Sequence, residues 1–376
     1  MVHNWAKRYL QGDSIIWLVV LLLSALGVLV VYSAASSLAY RVRGGDTEYY
    51  LFKHVTLLAL SLVAMWFTHK MNYQYFARLS TFLLLLSVPL LLYTWKFGET
   101  INEASRWLTL PVINQAFQPS DLAKLALIAH LAGMLSRRQQ VVNDFGRTLL
   151  PIILWCGVIC GLIAMTDISS AAMLFVTCLL LMYIGRIPVK HLALLVVVGG
   201  VLGFGALTLG QRGETAMSRL TSFMEEEQVT FQNQQAYIAI ATGGVSGKGW
   251  GQSEQRNILP LSYSDFIYAI IIEEYGMIGG FGVIFLFLVL MYRGMRAVSH
   301  SERAFGGLLS AGLSFAIVIQ ALTNMAVALG LVPVTGLPLP LVSMGGTSLL
   351  FTGIAIGIIL STTKTSNHKE ALAAVK

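Results

Sequence analysis

The sequence predicts an all-α integral membrane protein of about ten transmembrane helices, and three observations carry that expectation. Of its 376 residues, 56% are hydrophobic and only 11% charged, with a mean hydropathy of +0.71; soluble domains carry roughly 25% charged residues. The apolar runs are long and unbroken, whereas the strands of a membrane barrel read as alternating segments of about ten residues. Lysine and arginine also divide unequally between the two sides that such a chain presents.

Apolar stretches long enough to span occur at about 14–36, 51–69, 74–95, 119–136, 148–165, 168–185, 190–210, 277–293, 305–329 and 344–362. The first follows the polar opening "MVHNWAKRYLQGDS" and is too long for the apolar region of a cleavable signal peptide. Ten spans put both termini on one side. That side carries fifteen Lys and Arg residues, among them Arg78, Arg137, Arg138 and Arg303, against nine on the other. Segments 1–13 and 363–376 are therefore expected in the cytoplasm, the latter as a short polar tail, and the loops 96–118 and 211–276 outside.

The loop 211–276 includes the acidic run 225–227 and is too long for a simple connection. Its stretch "QQAYIAIATGGVSGKGWG" combines apolar residues with five glycines, which suits short interfacial or re-entrant helices. No internal repeat or soluble domain interrupts the chain, so 1–376 reads as a single membrane domain. Cys156 and Cys160 sit four apart on one span and Cys178 on the next, as small apolar packing residues rather than a disulfide framework. The net charge of +7 contains no basic run and follows topology, which argues against nucleic acid as a partner.

Several kinds of chemistry are missing. The seven histidines form no zinc-ligand spacing, and neither a Walker-type phosphate loop nor a G-x-S-x-G elbow occurs. What remains are polar clusters near the expected outer face. "SRWLTLPVINQAFQPSDLAKLAL" (105–127) places Arg106 and Trp107 in a loop, then opens a helix at Pro119 and Ser120. Asp121 and Lys124, three apart, share a helix face; they suit either a cap with an ion pair or, with Arg106, an electropositive pocket for a phosphorylated head group. Asp167 stands at the outer junction of two spans, where a cap is the common role. "GGVSGKGWG" (243–251) brings Lys248 and backbone amides, as an ordinary Gly-rich turn or an anion-binding nest would. "LVPVTGLPLPLVSMGGTSLL" (331–350) breaks the apolar pattern with three prolines and leads to Ser343, and such backbone must line a cavity or be buried in protein.

"SYSDFIYAIIIEEYG" (262–276) holds Asp265, Glu273 and Glu274. On one helix Asp265 and Glu273 would lie about 12 Å apart along the axis, and Glu274 would fall on the opposite face. A pair of carboxylates acting on one bond stands within about 5–10 Å, so these acids are expected to have separate tasks. Asp265 suits a helix N-cap, with Ser264 as competitor. Intramembrane glutamates need partners, and Arg106, Lys124 and Lys248 are the candidate cations.

In this order the segments "VYSAAS" (31–36), "RWL" (106–108), "QPSDLAKLA" (118–126), "QAYIAIATGGVSGKGWG" (235–251), "ILPLSYSDFIYAIIIEEYGMIGG" (258–280) and "LVPVTGLPLPLVSMGGTS" (331–348) resemble the SEDS family, whose members include FtsW, RodA and SpoVE. The likeness runs from the first span to the last. It implies a peptidoglycan glycosyltransferase that polymerises lipid II at the outer face of the bacterial cytoplasmic membrane. It also implies work with a class B penicillin-binding transpeptidase and other membrane proteins of the division or elongation machinery. The family's essential aspartate falls on Asp265, its glutamine before the "GG" turn on Gln235, its paired acids on Glu273 and Glu274, and its serine before "GG" on Ser343. Its charge pair falls on Asp121 and Lys124, in the segment that Gln118 opens.

Asp121 replaces the family's usual Glu, "TDISS" around Asp167 replaces "PDLGT", "LPLSYSDF" lacks an acid and a histidine often found there, and Met344 replaces an aromatic. The short stretch between "GKG" and "LP" resembles the FtsW-like branch. The resemblance implies Asp265 as general base, with Arg106, Lys124, Lys248 and a divalent cation (Mg2+ or Mn2+) against the leaving group. A RodA-like elongation polymerase, a lipid II flippase and a non-catalytic transpeptidase scaffold are the alternatives.

Overall fold

The computed structural model describes residues 11–36, 47–101, 104–110, 115–142, 144–209, 217–219, 221, 223, 230–301 and 303–373. Each expected apolar stretch contains a helix: α1 (Ser14–Ala34), α2 (Thr47–Lys70), α3 (Gln74–Phe97), α4 (Pro119–Arg137), α5 (Leu150–Ala164), α6 (Ile168–Ile184) and α7 (Val189–Leu209). After a helix in the long loop, α8 (Phe231–Gly243), follow α9 (Ile267–His300), α10 (Ala304–Ala328) and α11 (Thr347–Ala373). Seven of the described helices are long and apolar enough to cross a membrane: α1, α2, α3, α5 with its lead-in turn, α9, α10 and the first eighteen residues of α11. Two shorter apolar helices lie in α6 and α7. α4 differs because Asp121, Lys124 and Arg137 dilute its apolar character; thirteen of its nineteen residues are buried among neighbouring helices.

Three expectations change. The segment 96–118 is not a plain loop but a small antiparallel sheet of β1 (Glu99–Ile101), β2 (Ala104–Leu110) and β3 (Gln115–Phe117) in that order, with Trp107 opposite Glu99 and Leu108 opposite Phe117. The eighth apolar span does not begin at 277, since α9 starts at Ile267 and breaks its helical backbone only at Gly276 (φ 68°, ψ −172°). The tail is helical as far as Ala373, because "KEALAA" is rich in good helix formers and holds no glycine or proline stop. The acidic run 225–227 and residues 1–10 lie outside the described residues.

The core gathers around α10, of whose apolar window 72% is buried, against 22% for α2. α10 packs on α9, α4, α6 and α11; α11 lies along α2, α8 on α9, and α1 on α9. Large apolar side chains such as Leu21, Phe52, Phe82 and Phe281 point away from this core. In water so much apolar surface would drive association; facing lipid it costs nothing. Asp13 caps α1 by accepting from the Ile15 amide at 2.9 Å and pairs with Arg293 on α9. The three cysteines are free, and Cys156 and Cys178 are buried, as their packing role requires.

α2 and α11 approach through "GIAIG" (353–357), a small-x-x-x-small pattern of the kind that lets membrane helices pack backbone to backbone. A Cβ on Gly353 would come within 2.4 Å of the Ser61 carbonyl, and one on Gly357 within 2.5 Å of the Met65 carbonyl. Ser61 Oγ donates to the Leu349 carbonyl at 2.6 Å across the same seam. Gly357→Leu is expected to destabilise the protein by about 2 kcal/mol or more through overpacking, read as a lower unfolding temperature in detergent.

Candidate functional site

Asp265 sits in a turn just ahead of α9. The turn begins at Leu261, which adopts φ 56° without being glycine. That left-handed conformation aims its carbonyl at three successive amides, accepting from Ser264 (3.0 Å), Asp265 (3.1 Å) and Phe266 (3.5 Å). Non-glycine residues held at positive φ cost about 1–3 kcal/mol and cluster at functional sites. The cap reading of Asp265 does not hold, since the N-cap of α9 is Phe266, with no side-chain cap hydrogen bond. The Asp265 carboxylate, 9% exposed, instead accepts from Ser264 Oγ at 3.0 Å.

The backbone around Asp265 is clamped from α10 and the proline-rich loop. Asn324 Nδ2 donates to the Asp265 carbonyl (2.9 Å) and to the Leu337 carbonyl (2.8 Å), joining the two segments through one amide. Ser343 Oγ donates to the Ser264 carbonyl (2.7 Å) and accepts from the Leu339 amide (2.8 Å). The Met344 amide donates to the Tyr263 carbonyl at 3.1 Å. Burial pushes the Tyr263 phenol up, with the charge of Asp265 and the neighbouring Tyr50 adding to the shift; the phenol therefore keeps its proton beyond its ordinary range. Ser343 was legible as a candidate, whereas Asn324 was not. Its signal is "QALTN": Gln320 and Asn324, four apart, put two polar side chains on one face of an apolar helix.

Gln320 Nε2 donates to the Pro338 carbonyl at 2.9 Å, one turn before Asn324. It also lines a cavity of about 70 Å3 with Asp121, Lys124, Ser170, Pro340 and Ser348. Space of that size is enough for several waters. Lys124 Nζ pairs with Asp121 Oδ1 at 3.1 Å, as the i,i+3 spacing requires. Asp121 Oδ2 is buried with no hydrogen-bond partner among the described residues, so the pocket offers an acceptor beside its ammonium rather than positive charge alone. Asp167 caps α6, accepting from the Ser170 amide at 3.1 Å and from Ser170 Oγ at 2.7 Å. Gln118 Nε2 donates to Ser120 Oγ at 2.9 Å, while its amide donates to Thr347 Oγ1. The Trp107 ring lies against Gly346, where a Cβ would meet it at 3.8 Å. Arg106 belongs to β2, and its side chain lies outside the described residues. Gln235 is half-buried on α8.

Glu273 and Glu274 form a second cluster with separate partners. Glu273, fully buried, accepts from Lys248 Nζ (2.9 Å), the Glu254 amide (3.1 Å), the Gln255 amide (3.3 Å) and Ser253 Oγ. Glu274 accepts from Ser33 Oγ on α1, which in turn accepts from Arg256 Nη1 at 2.8 Å. The Lys248 amide donates to the Glu273 carbonyl (2.9 Å) and the Gly249 amide to the Glu274 carbonyl (3.0 Å). An anion nest needs those amides unspent, so the nest reading of "GGVSGKGWG" is replaced by a plug that closes the break in α9. The hydrogen bond to Glu273 is the largest influence holding the Lys248 ammonium above its usual range. A raised lysine contributes its stability fully below about pH 10 and loses it only at more alkaline pH. Lys248 is therefore held to Glu273 at neutral pH.

The sequence pattern of a family described as cell cycle protein, that of FtsW, RodA and SpoVE, matches residues 13–368. The chain belongs to this family. The "Probable peptidoglycan glycosyltransferase FtsW" of Geobacter sp. strain M18 is 32% identical over 94% of this chain and 97% of its own length. Stage V sporulation protein E of Bacillus subtilis is 30% identical over 95% and 98%. Among solved structures, a mutant of the rod shape determining protein RodA of Thermus thermophilus superposes with a TM-score of 0.70 at 25% identity, over 94% of this chain and 98% of that one. A chain from a peptidoglycan synthase complex, in which polymerization and crosslinking are coordinated, matches with a TM-score of 0.75 over 94% and 98%; at 24% identity it shows the fold alone. As a member of the FtsW, RodA and SpoVE family with these apolar helices, the chain is a multi-pass membrane protein.

Within this family member the Asn324 clamp has a testable consequence. Asn324→Leu removes both donated hydrogen bonds and frees the Asp265 turn from the proline-rich loop. A misplacement of about 1 Å costs about 10²-fold in rate, and a loss of that size in turnover is the expected result. It is measured as turnover of the purified protein against an unchanged level of folded material.

Proposed function

We propose that this protein is a peptidoglycan glycosyltransferase that polymerises lipid II at the outer face of the bacterial cytoplasmic membrane, with both termini in the cytoplasm. The observation that carries the reading is the Asp265 turn: a largely buried carboxylate whose backbone is fixed from α10 through Asn324 and from the proline-rich loop through Ser343. Relatives at 32–35% identity are named as probable peptidoglycan glycosyltransferases of the FtsW type, which supports septal synthesis in division over elongation.

In the proposed step the Asp265 carboxylate takes the proton of the acceptor sugar's 4-hydroxyl. The freed oxygen bonds to the anomeric carbon of the lipid-linked donor, the bond from that carbon to the diphosphate breaks, and polyprenyl diphosphate leaves with inversion. Lys124, whose ammonium lines the α4–α10 cavity, and Arg106 on β2 are the cations for the leaving charge. Lys248 supports the framework through Glu273 instead. Among the described residues no three carboxylate, histidine or cysteine side chains come together to hold a metal. A divalent cation (Mg2+ or Mn2+) beside the leaving diphosphate is proposed, tested by adding a chelator.

A class B penicillin-binding transpeptidase is the proposed partner, supported by the structural likeness to a chain from a synthase complex that couples polymerization to crosslinking. The test is addition of lipid II to purified protein in detergent, with and without that partner. Glycan strands mark a polymerase. A flippase or a scaffold makes none, since detergent leaves no membrane to cross.

A further inference from the structure

We propose a second site, a pocket for phosphate oxyanions at the end of the helix bundle opposite Asp121. α4 carries Asp121 in its first turn and Arg137 in its last, sixteen residues later and about 24 Å along the axis. At that far end a cavity of about 350 Å3 opens between α3, α4 and α10. Arg78 from the first turns of α3, Arg137 from the end of α4 and Arg303 at the start of α10 all line it, joined by Asn72 and Ser136. All three arginines are exposed, and among the described residues none of them is in an ion pair. Among the described residues no acidic side chain lines the cavity.

The positive-inside rule accounts for arginine at this end of the bundle. It does not account for three arginines from three separate helices lining one concavity in which, among the described residues, no carboxylate joins them. Like charges so placed repel, and an anion between them removes that cost. Guanidinium is the side chain suited to binding two phosphate oxygens at once. α3 and α10 both begin here, so the positive ends of their dipoles add to the field, and Arg137 offsets the negative end of α4. Asn72 Oδ1 is already used, accepting from the Gln74 amide at 3.0 Å, which leaves its amide group as a donor.

The phosphate can come from an anionic phospholipid head group or from a free phosphate. The surface favours the lipid. Beyond Arg78, α3 exposes Leu79, Phe82 and Leu86, an apolar ridge along which acyl chains would lie with the head group at the arginines. Basic pockets between membrane helices bind cardiolipin-like head groups in this way.

The full-length protein is purified in detergent, and its unfolding temperature and native mass spectrum are recorded with cardiolipin, with phosphatidylcholine and with inorganic phosphate. Cardiolipin is expected to stabilise it and stay bound, and phosphatidylcholine not. Arg78→Gln, Arg137→Gln and Arg303→Gln should each weaken cardiolipin binding about fivefold, since a basic residue at a membrane surface contributes about that factor. The single variants keep the result readable if the triple variant does not fold. Arg147→Gln with Lys190→Gln, outside the pocket, should leave binding unchanged. A saturable shift with inorganic phosphate, lost in the arginine variants and not increased by cardiolipin, would keep the site and make free phosphate its source. Cardiolipin binding that survives all three arginine changes, or that falls equally in the Arg147 and Lys190 control, overturns the proposal. So does the absence of any shift with either ligand.

Discussion

Asp265→Asn is expected to lower lipid II polymerisation by about 10²–10⁴-fold, the usual contribution of a positioned general base, without unfolding the protein. The substitution keeps the shape and an oxygen acceptor for Ser264 Oγ, and it removes the capacity to take a proton. The backbone contacts that hold the turn do not involve the side chain: the Leu261 carbonyl accepts from the Asp265 amide, and Asn324 donates to the Asp265 carbonyl. Glycan strands from purified protein and lipid II are measured beside the unfolding temperature. Normal polymerisation by the Asn variant would remove Asp265 from the chemistry. A variant that polymerises normally yet impairs crosslinking by the partner transpeptidase would favour the scaffold reading.

Gly276→Ala should be among the most destabilising single changes outside the Asp265 turn. Gly276 has φ 68° and ψ −172°, a backbone conformation essentially restricted to glycine. A Cβ there would lie 2.1 Å from the Val245 carbonyl oxygen and 2.5 Å from the Gly247 nitrogen. Those atoms cannot swing aside like a side chain, because Met277 donates to the Gly244 carbonyl and Gly249 to the Glu274 carbonyl across the same contact. Backbone strain and overpacking each cost about 1–3 kcal/mol, so the unfolding temperature should fall by roughly 3–8 °C in a chain of this size. Gly282→Ala, on the same helix with nothing within 4 Å of its Cβ, serves as the control and should be neutral. An equal, small effect at both positions would mean that the glycine loop does not close the break in α9.

How much of this was legible depends on the range of the interaction. The Asp121–Lys124 pair and the Asp167 cap follow from spacings of three residues within one helix, so reading the chain in order finds them. Lys248 was one of three candidate cations for the glutamates, and only the fold selects it, because its partner Glu273 lies 25 residues away. The nest reading of "GGVSGKGWG" failed for the same reason. Glycines that free amides for an anion and glycines that admit a neighbouring backbone look alike until that neighbour is placed. Asn324, which no motif marks, acts on a carbonyl 59 residues distant.

Composition and pattern alone established a helical membrane protein, the positions of its apolar stretches and the segments that carry the family likeness. These rest on transfer of side chains from water to lipid and on helical periodicity, both properties of contiguous chain. Only the tertiary structure decided that the three acids of "SYSDFIYAIIIEEYG" divide between two sites, Asp265 in a clamped turn and Glu273 and Glu274 each with its own partners. It alone brought Arg78, Arg137 and Arg303 to one pocket. Those outcomes depend on which helices meet and at what depth, and buried polar groups take whatever partner the packing brings within hydrogen-bond reach.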